Sequence, residues 1–233
     1  HQETLTLLWS LIVSMYCVGG MIGCLCSGHL TVKYGKKKCL LFNDLVLIVA
    51  TLHTGFSRRA KSFEMILIGR FLEGLCAGRT PCYSLYAGEI SPKKLRGFVN
   101  VTSSVFLALG KTVARILGLR DLLGTEELWN VLLSFSGLVA LIQLLFLPFF
   151  PESPPYLLLQ KGDKKGCLKA MKQLWGEGNY HTEFDDMLKE RAATKGTKIM
   201  NVLEVLKDPS VRQQLSILLL LLLSLQLCGL SAV

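Results

Sequence analysis

The sequence predicts an all-α, polytopic helical membrane protein, and two observations carry that prediction. About half of the residues are apolar (51%), and they gather into blocks long enough to cross a hydrocarbon core of about 30 Å, which takes roughly 20 helical residues at 1.5 Å each. The basic residues behind a net charge of +9 fall in short clusters beside those blocks. No basic stretch carries interleaved aromatics, so membrane topology accounts for the charge and a nucleic-acid partner is not expected.

The first block runs from about Leu7 to Leu30 and the second from Cys39 to Phe56, with Lys33, Lys36, Lys37 and Lys38 crowded into the short connection between them. Such a cluster marks a cytoplasmic loop. The third block, about Phe63 to Ala87, ends at the basic stretch Lys93-Lys94-Leu95-Arg96, two crossings later and therefore on the same side. A fourth runs from Gly97 to Leu119. The linker before the fifth, Leu128 to Phe150, is net acidic through Asp121, Glu126 and Glu127, which suits the outside. Arg58, Arg59 and Lys61 fall outside in this topology and are outvoted by the other loops.

From Pro151 the chain turns polar, with periodic apolar residues at Leu168, Met171, Leu174 and Met187, before a last apolar run from Leu215 to Val233. The expected organisation is five spans over 1–150, a cytoplasmic linker of amphipathic helices over 151–213, and a sixth span over 214–233. His1 is no initiator methionine and no leader precedes the first block, so the chain is expected to be part of something longer.

Eight cysteines in a short secreted chain would suggest a disulfide framework, but seven lie in or against apolar blocks and read as free thiols. Cys24-Leu-Cys26 lacks further ligands at metal spacing. Gly110-Lys111-Thr112 lacks the first glycine of a phosphate-binding loop, since Val105 stands there. No triad or paired carboxylate suggests an enzyme, and neither a cofactor nor a metal is expected. Small residues cluster in Gly19-Gly20-Met21-Ile22-Gly23 and Gly74-Leu75-Cys76-Ala77-Gly78, a composition that lets helices approach closely in lipid.

Read together and in order, Leu8-Trp9-Ser10, Val18-Gly19-Gly20-Met21-Ile22-Gly23, Tyr34-Gly35-Lys36-Lys37, Gly69-Arg70-Phe71-Leu72-Glu73-Gly74, Tyr86-Ala87-Gly88-Glu89-Ile90-Ser91-Pro92 through Leu95-Arg96-Gly97, Pro151-Glu152-Ser153-Pro154 and Gln226-Leu227-Cys228-Gly229 resemble the sugar-porter branch of the major facilitator superfamily, the facilitative hexose transporters among them. The resemblance leans toward the fructose- and urate-handling class. It implies spans two to seven of a twelve-span fold, a sugar held at the midplane between two halves, passive uniport by alternating access, and a multi-pass protein of the plasma membrane.

A buried sugar hydroxyl must be hydrogen-bonded, so amides and hydroxyls facing a cavity are the candidates. The resemblance points to Gln226, Ser231 and Ser104 as sugar contacts, with Leu225 and Ser104 replacing usual glutamines. It also implies a gating salt-bridge network of Arg70, Glu89, Arg96, Glu152 and Lys36 at the cytoplasmic ends of the spans. Val32, Ser84 and Pro155 depart from the family pattern around that network. Lys111 and Arg115 stand four residues apart within the fourth block, where a basic residue is costly; they suggest an anionic substrate or relaxed constraint. Asp44 is expected to offset them by pairing. Two alternatives remain open: a truncated product that does not transport, associating with a full-length relative or with itself, and a proton-coupled symporter using Asp44 or Glu73.

Overall fold

The computed structural model describes residues 2–119, 121–125, 128–176, 180–194 and 209–227. They are helical: α1 (Gln2–Tyr34), α2 (Lys36–Ala60), α3 (Phe63–Ala77), α4 (Thr80–Ile90), α5 (Arg96–Leu117), α6 (Trp129–Phe146), α7 (Lys164–Trp175), α8 (His181–Thr194) and α9 (Pro209–Leu227). Glu3–Tyr34, Lys36–Ala60, Lys93–Leu117 and Val131–Phe149 are long and apolar enough to cross a membrane. The chain divides into two compact units, His1–Arg191 and Ala192–Val233.

The third apolar block is not one helix. Pro81 has no N–H to give the carbonyl of Ala77 and its ring crowds that carbonyl, so the helix stops at Ala77 and restarts at Thr80. The Thr80 hydroxyl donates to the orphaned Ala77 oxygen at 2.6 Å. Gly78 and Arg79 form the joint, near the middle of the block.

In lipid no hydrophobic effect drives one helix onto another, so close approach decides which pairs associate. The α1–α3 seam is lined by glycines from both helices. A Cβ on Gly19 or Gly23 would collide with the carbonyls of Phe71 or Leu75, and one on Gly74 or Gly78 with those of Tyr16 or Gly20. The α2–α6 seam is built likewise from Gly55 against Ser134 and Gly137 against Thr51, with Ser134 Oγ donating to the Thr51 carbonyl at 3.4 Å. By contrast α5 packs chiefly along α4 and contributes no buried residue.

The basic ends of the helices meet at one end of the unit. Gly35, at φ 92°, turns the chain between α1 and α2 with no room for a side chain against Tyr156 and Glu152. Tyr156 Oη donates to the Lys33 carbonyl at 3.4 Å and Tyr86 Oη to that of Pro151 at 2.7 Å, which fixes the start of the linker beneath α1 and α4.

The linker then makes its own small core. A π-helical turn, Tyr156–Lys161, leads to Gly162 at φ 74°, after which Asp163 caps α7 by accepting from Gly166 N at 2.9 Å. Leu158, Cys167, Met171 and Met187 are buried together; of the periodic apolar residues Met171 and Met187 enter this core, while Leu168 and Leu174 stay half-buried outside it. Three contacts tie them upward: Trp175 Nε1 donates to the Ile90 carbonyl at 2.8 Å, Lys93 N donates to Glu183 at 3.1 Å, and Lys93 Nζ pairs with Asp186 at 2.7 Å.

The hydrogen bond and charge of Lys93 hold the Asp186 carboxyl below the usual aspartate range. A depressed value stabilises the docked form above the ordinary carboxylate pKa of about 4, and that contribution is lost as pH falls through the lowered value. With the intrinsic exchange rate divided out, protection over His181–Thr194 is therefore expected to fall between pH 5 and pH 3, with Asp186→Asn giving the lower protection already at pH 5. Equal protection at the two pH values would contradict this account.

Candidate functional site

The end of the unit that holds the basic loops carries an interlocked polar cluster. Lys36, the first residue of α2, makes an ion pair with Glu89 near the end of α4. Glu89 also accepts from the Ser153 hydroxyl. Its neighbour Glu152 accepts from Lys37 N at 2.9 Å and Ser153 N at 3.2 Å, and Lys37 Nζ reaches the Pro148 carbonyl at 2.9 Å. One carboxylate thus joins α2, α4 and the start of the linker.

Of the five residues grouped in the expected network, the structure brings Lys36, Glu89 and Glu152 together. Arg96 opens α5 half-buried, lining the same groove as Glu89, with its Nε unpartnered. Arg70 stands elsewhere. It lies in the middle of α3, whose start is at the opposite end of the unit, and its Nη1 donates to Glu73 at 3.2 Å. Glu73 further accepts from Thr54 Oγ1 at 3.4 Å. The string that contains Arg70 resembles a motif of the span, not of its cytoplasmic end, and the direction of the third block already places it away from Glu89.

Asp44 is not paired as expected. It is buried on α2, and the hydroxyl of Tyr83 donates to its Oδ1 at 2.9 Å, while Asn43 Nδ2 donates to the Tyr83 oxygen at 3.2 Å. The joint after α3 rotates α4 so that Tyr83 faces α2, a contact across 39 positions with no local signal.

Ser104 lines a groove of about 830 Å³ between α4 and α5, together with Thr80, Ser84, Asn100 and Ser103. It is exposed, and its hydroxyl donates back to the Asn100 carbonyl at 3.3 Å, which leaves its oxygen able to accept. Gln226 belongs to α9 of the second unit, outside the residues whose side chains are described, and Ser231 lies outside the described residues. Tyr86 and Ser153 stand in the strings that carry the resemblance without being candidates for the site, and Tyr156 stands two residues beyond the last of the linker string; the hydroxyls of all three bind the cluster together.

Lys111 continues the polar face of α5, seven residues beyond Ser104, and is exposed. A lysine facing hydrocarbon costs about 2.5–3.5 kcal/mol at a span centre and less toward its ends. Lys111→Leu is expected to improve insertion of the Arg96–Leu117 segment by about 1–3 kcal/mol, measured as the glycosylated fraction in a translocon assay. An unchanged fraction would mean that the ammonium reaches the headgroup layer in the wild type.

The sequence model of the family described as "Sugar (and other) transporter" matches residues 1–233. The solute carrier family 2, facilitated glucose transporter member 5 of Ovis aries is 44% identical over 234 residues, covering 100% of this chain and 47% of that protein. Member 11 of Homo sapiens is 42% identical over 224 residues, covering 96% of this chain and 45% of the relative. The chain therefore spans about half the length of the curated relatives it matches. A partially occluded, inward-open structure of the xylose transporter XylE from E. coli superposes with a TM-score of 0.71 at 16% identity, over 81% of this chain and 49% of the other. That likeness shows the fold.

Proposed function

The chain belongs to the sugar transporter family, and from that premise we propose that the protein it builds carries a hexose such as fructose or glucose passively across the plasma membrane by alternating access. The observation that carries this reading is the cluster at the ends of α2 and α4. An ion pair shared between helices and a linker is a two-state element, made in one access state and broken in the other, and its exchange costs little when both states satisfy the charges. The relatives named as facilitated glucose transporters support the substrate class. The groove beside Ser104 offers hydroxyls and an amide suited to sugar hydroxyls.

Passive transport is favoured over proton coupling because Glu73 inside the spans is paired with Arg70; Asp44 accepts from Tyr83 through Oδ1 while its Oδ2 has no partner, so it is the acid to test. Asp44→Asn is expected to leave the pH dependence of uptake unchanged, and acid-stimulated uptake lost in that variant would favour the symporter.

The test is saturable uptake of radiolabelled fructose, glucose and urate by the chain reconstituted in liposomes, with insertion verified by protease access to the linker. Gln226→Leu is expected to reduce hexose uptake by roughly 5- to 150-fold, since an unsatisfied sugar hydroxyl costs about 1–3 kcal/mol. Correctly inserted protein with no uptake would refute transport by this chain and favour the non-transporting product.

A further inference from the structure

Among the described residues, Arg79 is a charge without a partner at the break in the third apolar block. It stands at the joint between α3 and α4, so that its Cα lies roughly 16 Å from the Ile90 end at 1.5 Å per helical residue. The residue is 8% exposed. Its Nε has no hydrogen-bond partner, and among the described residues no carboxylate pairs with it. Its one side-chain contact of note is the ring of Phe42, 5.6 Å from the guanidinium carbon. A guanidinium does not give up its proton in a protein, and a cation–π contact returns only part of what is lost in leaving water. The charge therefore calls for an anion that these residues do not supply.

The space beside it has the matching chemistry. Arg79 borders a cavity of about 370 Å³ between α1, α2 and α4, with Leu30, Phe42 and Cys82 among its walls and Lys38 and Tyr34 toward the basic end. Lys38 lies one helical turn before Phe42 on the same face of α2, which sets a second cation above the first. No acid lines the cavity. The carboxylates at the basic end are committed, Glu89 to Lys36 and Ser153, and Glu152 to backbone amides, while within the spans Glu73 pairs with Arg70 and Asp44 accepts from Tyr83. The hydroxyls of Ser27 and Thr31 donate to carbonyls within α1. What remains is an apolar-walled slot with one buried cation inside it and a second, exposed, toward its basic mouth, which fits an oxyanion attached to an apolar stem.

We propose that this cavity binds the phosphate headgroup of an anionic membrane lipid, held by the Arg79 guanidinium and the Lys38 ammonium. Arg79 offers a planar fork that takes two phosphate oxygens at once, and Lys38 adds a mobile point charge at the mouth. The cavity is large enough for a headgroup phosphate and its first methylenes, while the remaining acyl chain runs outside it.

The experiment is a thermal melt of the purified chain in neutral detergent, followed by tryptophan fluorescence, with phosphatidic acid, phosphatidylcholine or inorganic phosphate added. Phosphatidic acid is expected to raise the midpoint by about 5 °C, with no effect from phosphatidylcholine. In Arg79→Leu the rise disappears, and this variant melts no lower than the wild type in neutral detergent because an uncompensated charge is gone. Lys164→Ala with Lys165→Ala, on the exposed start of α7, leaves the rise intact. If Arg79→Leu is not recovered folded, Lys38→Ala, at an exposed position, must raise the lipid concentration for half effect at least threefold. A wild type indifferent to phosphatidic acid, an undiminished rise in Arg79→Leu or an unchanged midpoint concentration in Lys38→Ala overturns the proposal. Inorganic phosphate matching phosphatidic acid would overturn the lipid as occupant and leave a site for free oxyanions.

Discussion

Replacing Gly74 with leucine is expected to part α1 from α3 and to leave no folded bundle to purify. The added side chain would begin inside the carbonyl of Tyr16, a backbone atom that cannot swing aside as the end of a flexible side chain can. Relief requires moving one helix bodily, and that breaks the neighbouring approaches at Gly19, Gly23 and Gly78 in the same seam. Overpacking a core commonly costs 1–3 kcal/mol, and here the strain falls on backbone at four linked positions, so a loss of about 3 kcal/mol or more is expected. That is a large share of the stability of an ordinary domain, about 5–15 kcal/mol. Gly74→Ala should lower the melting midpoint without abolishing the fold. Gly28→Ala, on α1 in open space, should leave it unchanged or raised slightly through helix propensity. Size-exclusion profiles and melts of the three variants check the ordering. A monodisperse Gly74→Leu protein melting with the wild type would mean that the seam is not where these helices meet.

How much of this was legible beforehand depends on the range of the interaction concerned. Apolar length and clustered lysines are properties of contiguous residues, so the helical blocks and the common side of the basic loops could be read directly. The glycine strings gave the means of close approach but not the pairing, because any two small-residue faces can meet. Only the structure matches Gly19 and Gly23 with Phe71 and Leu75. The break at Gly78 and Arg79 had a local signal in Pro81, hidden by the apolar continuity of Phe63 to Ala87. Arg70 was grouped with Glu89 through the company their strings keep, whereas the rise of the intervening helix separates them. The partner of Asp44 had no signal at all, since Tyr83 reaches it only after that break turns α4.

Reversing the charge of Glu89 is expected to give the largest effect at the candidate site. The side chains of Lys36 and Glu89 are 16% and 24% exposed, so their interaction is screened less than a surface pair and more than a deep one. At an effective dielectric near 20, like charges about 4 Å apart repel by about 4 kcal/mol. Glu89→Lys replaces an attraction with that repulsion and also removes the acceptor of the Ser153 hydroxyl, releasing the linker from α4. The expected result is a markedly lower melting midpoint and rapid proteolysis of the linker. The exchange Lys36→Glu with Glu89→Lys restores the Coulomb term alone, so it should recover most of the midpoint and little of the protease resistance. That split follows from Glu89 having two jobs, one toward α2 and one toward Ser153. Full recovery of both readouts would assign the linker contact entirely to charge, and no recovery of either would show that the pair does not hold this end of the bundle.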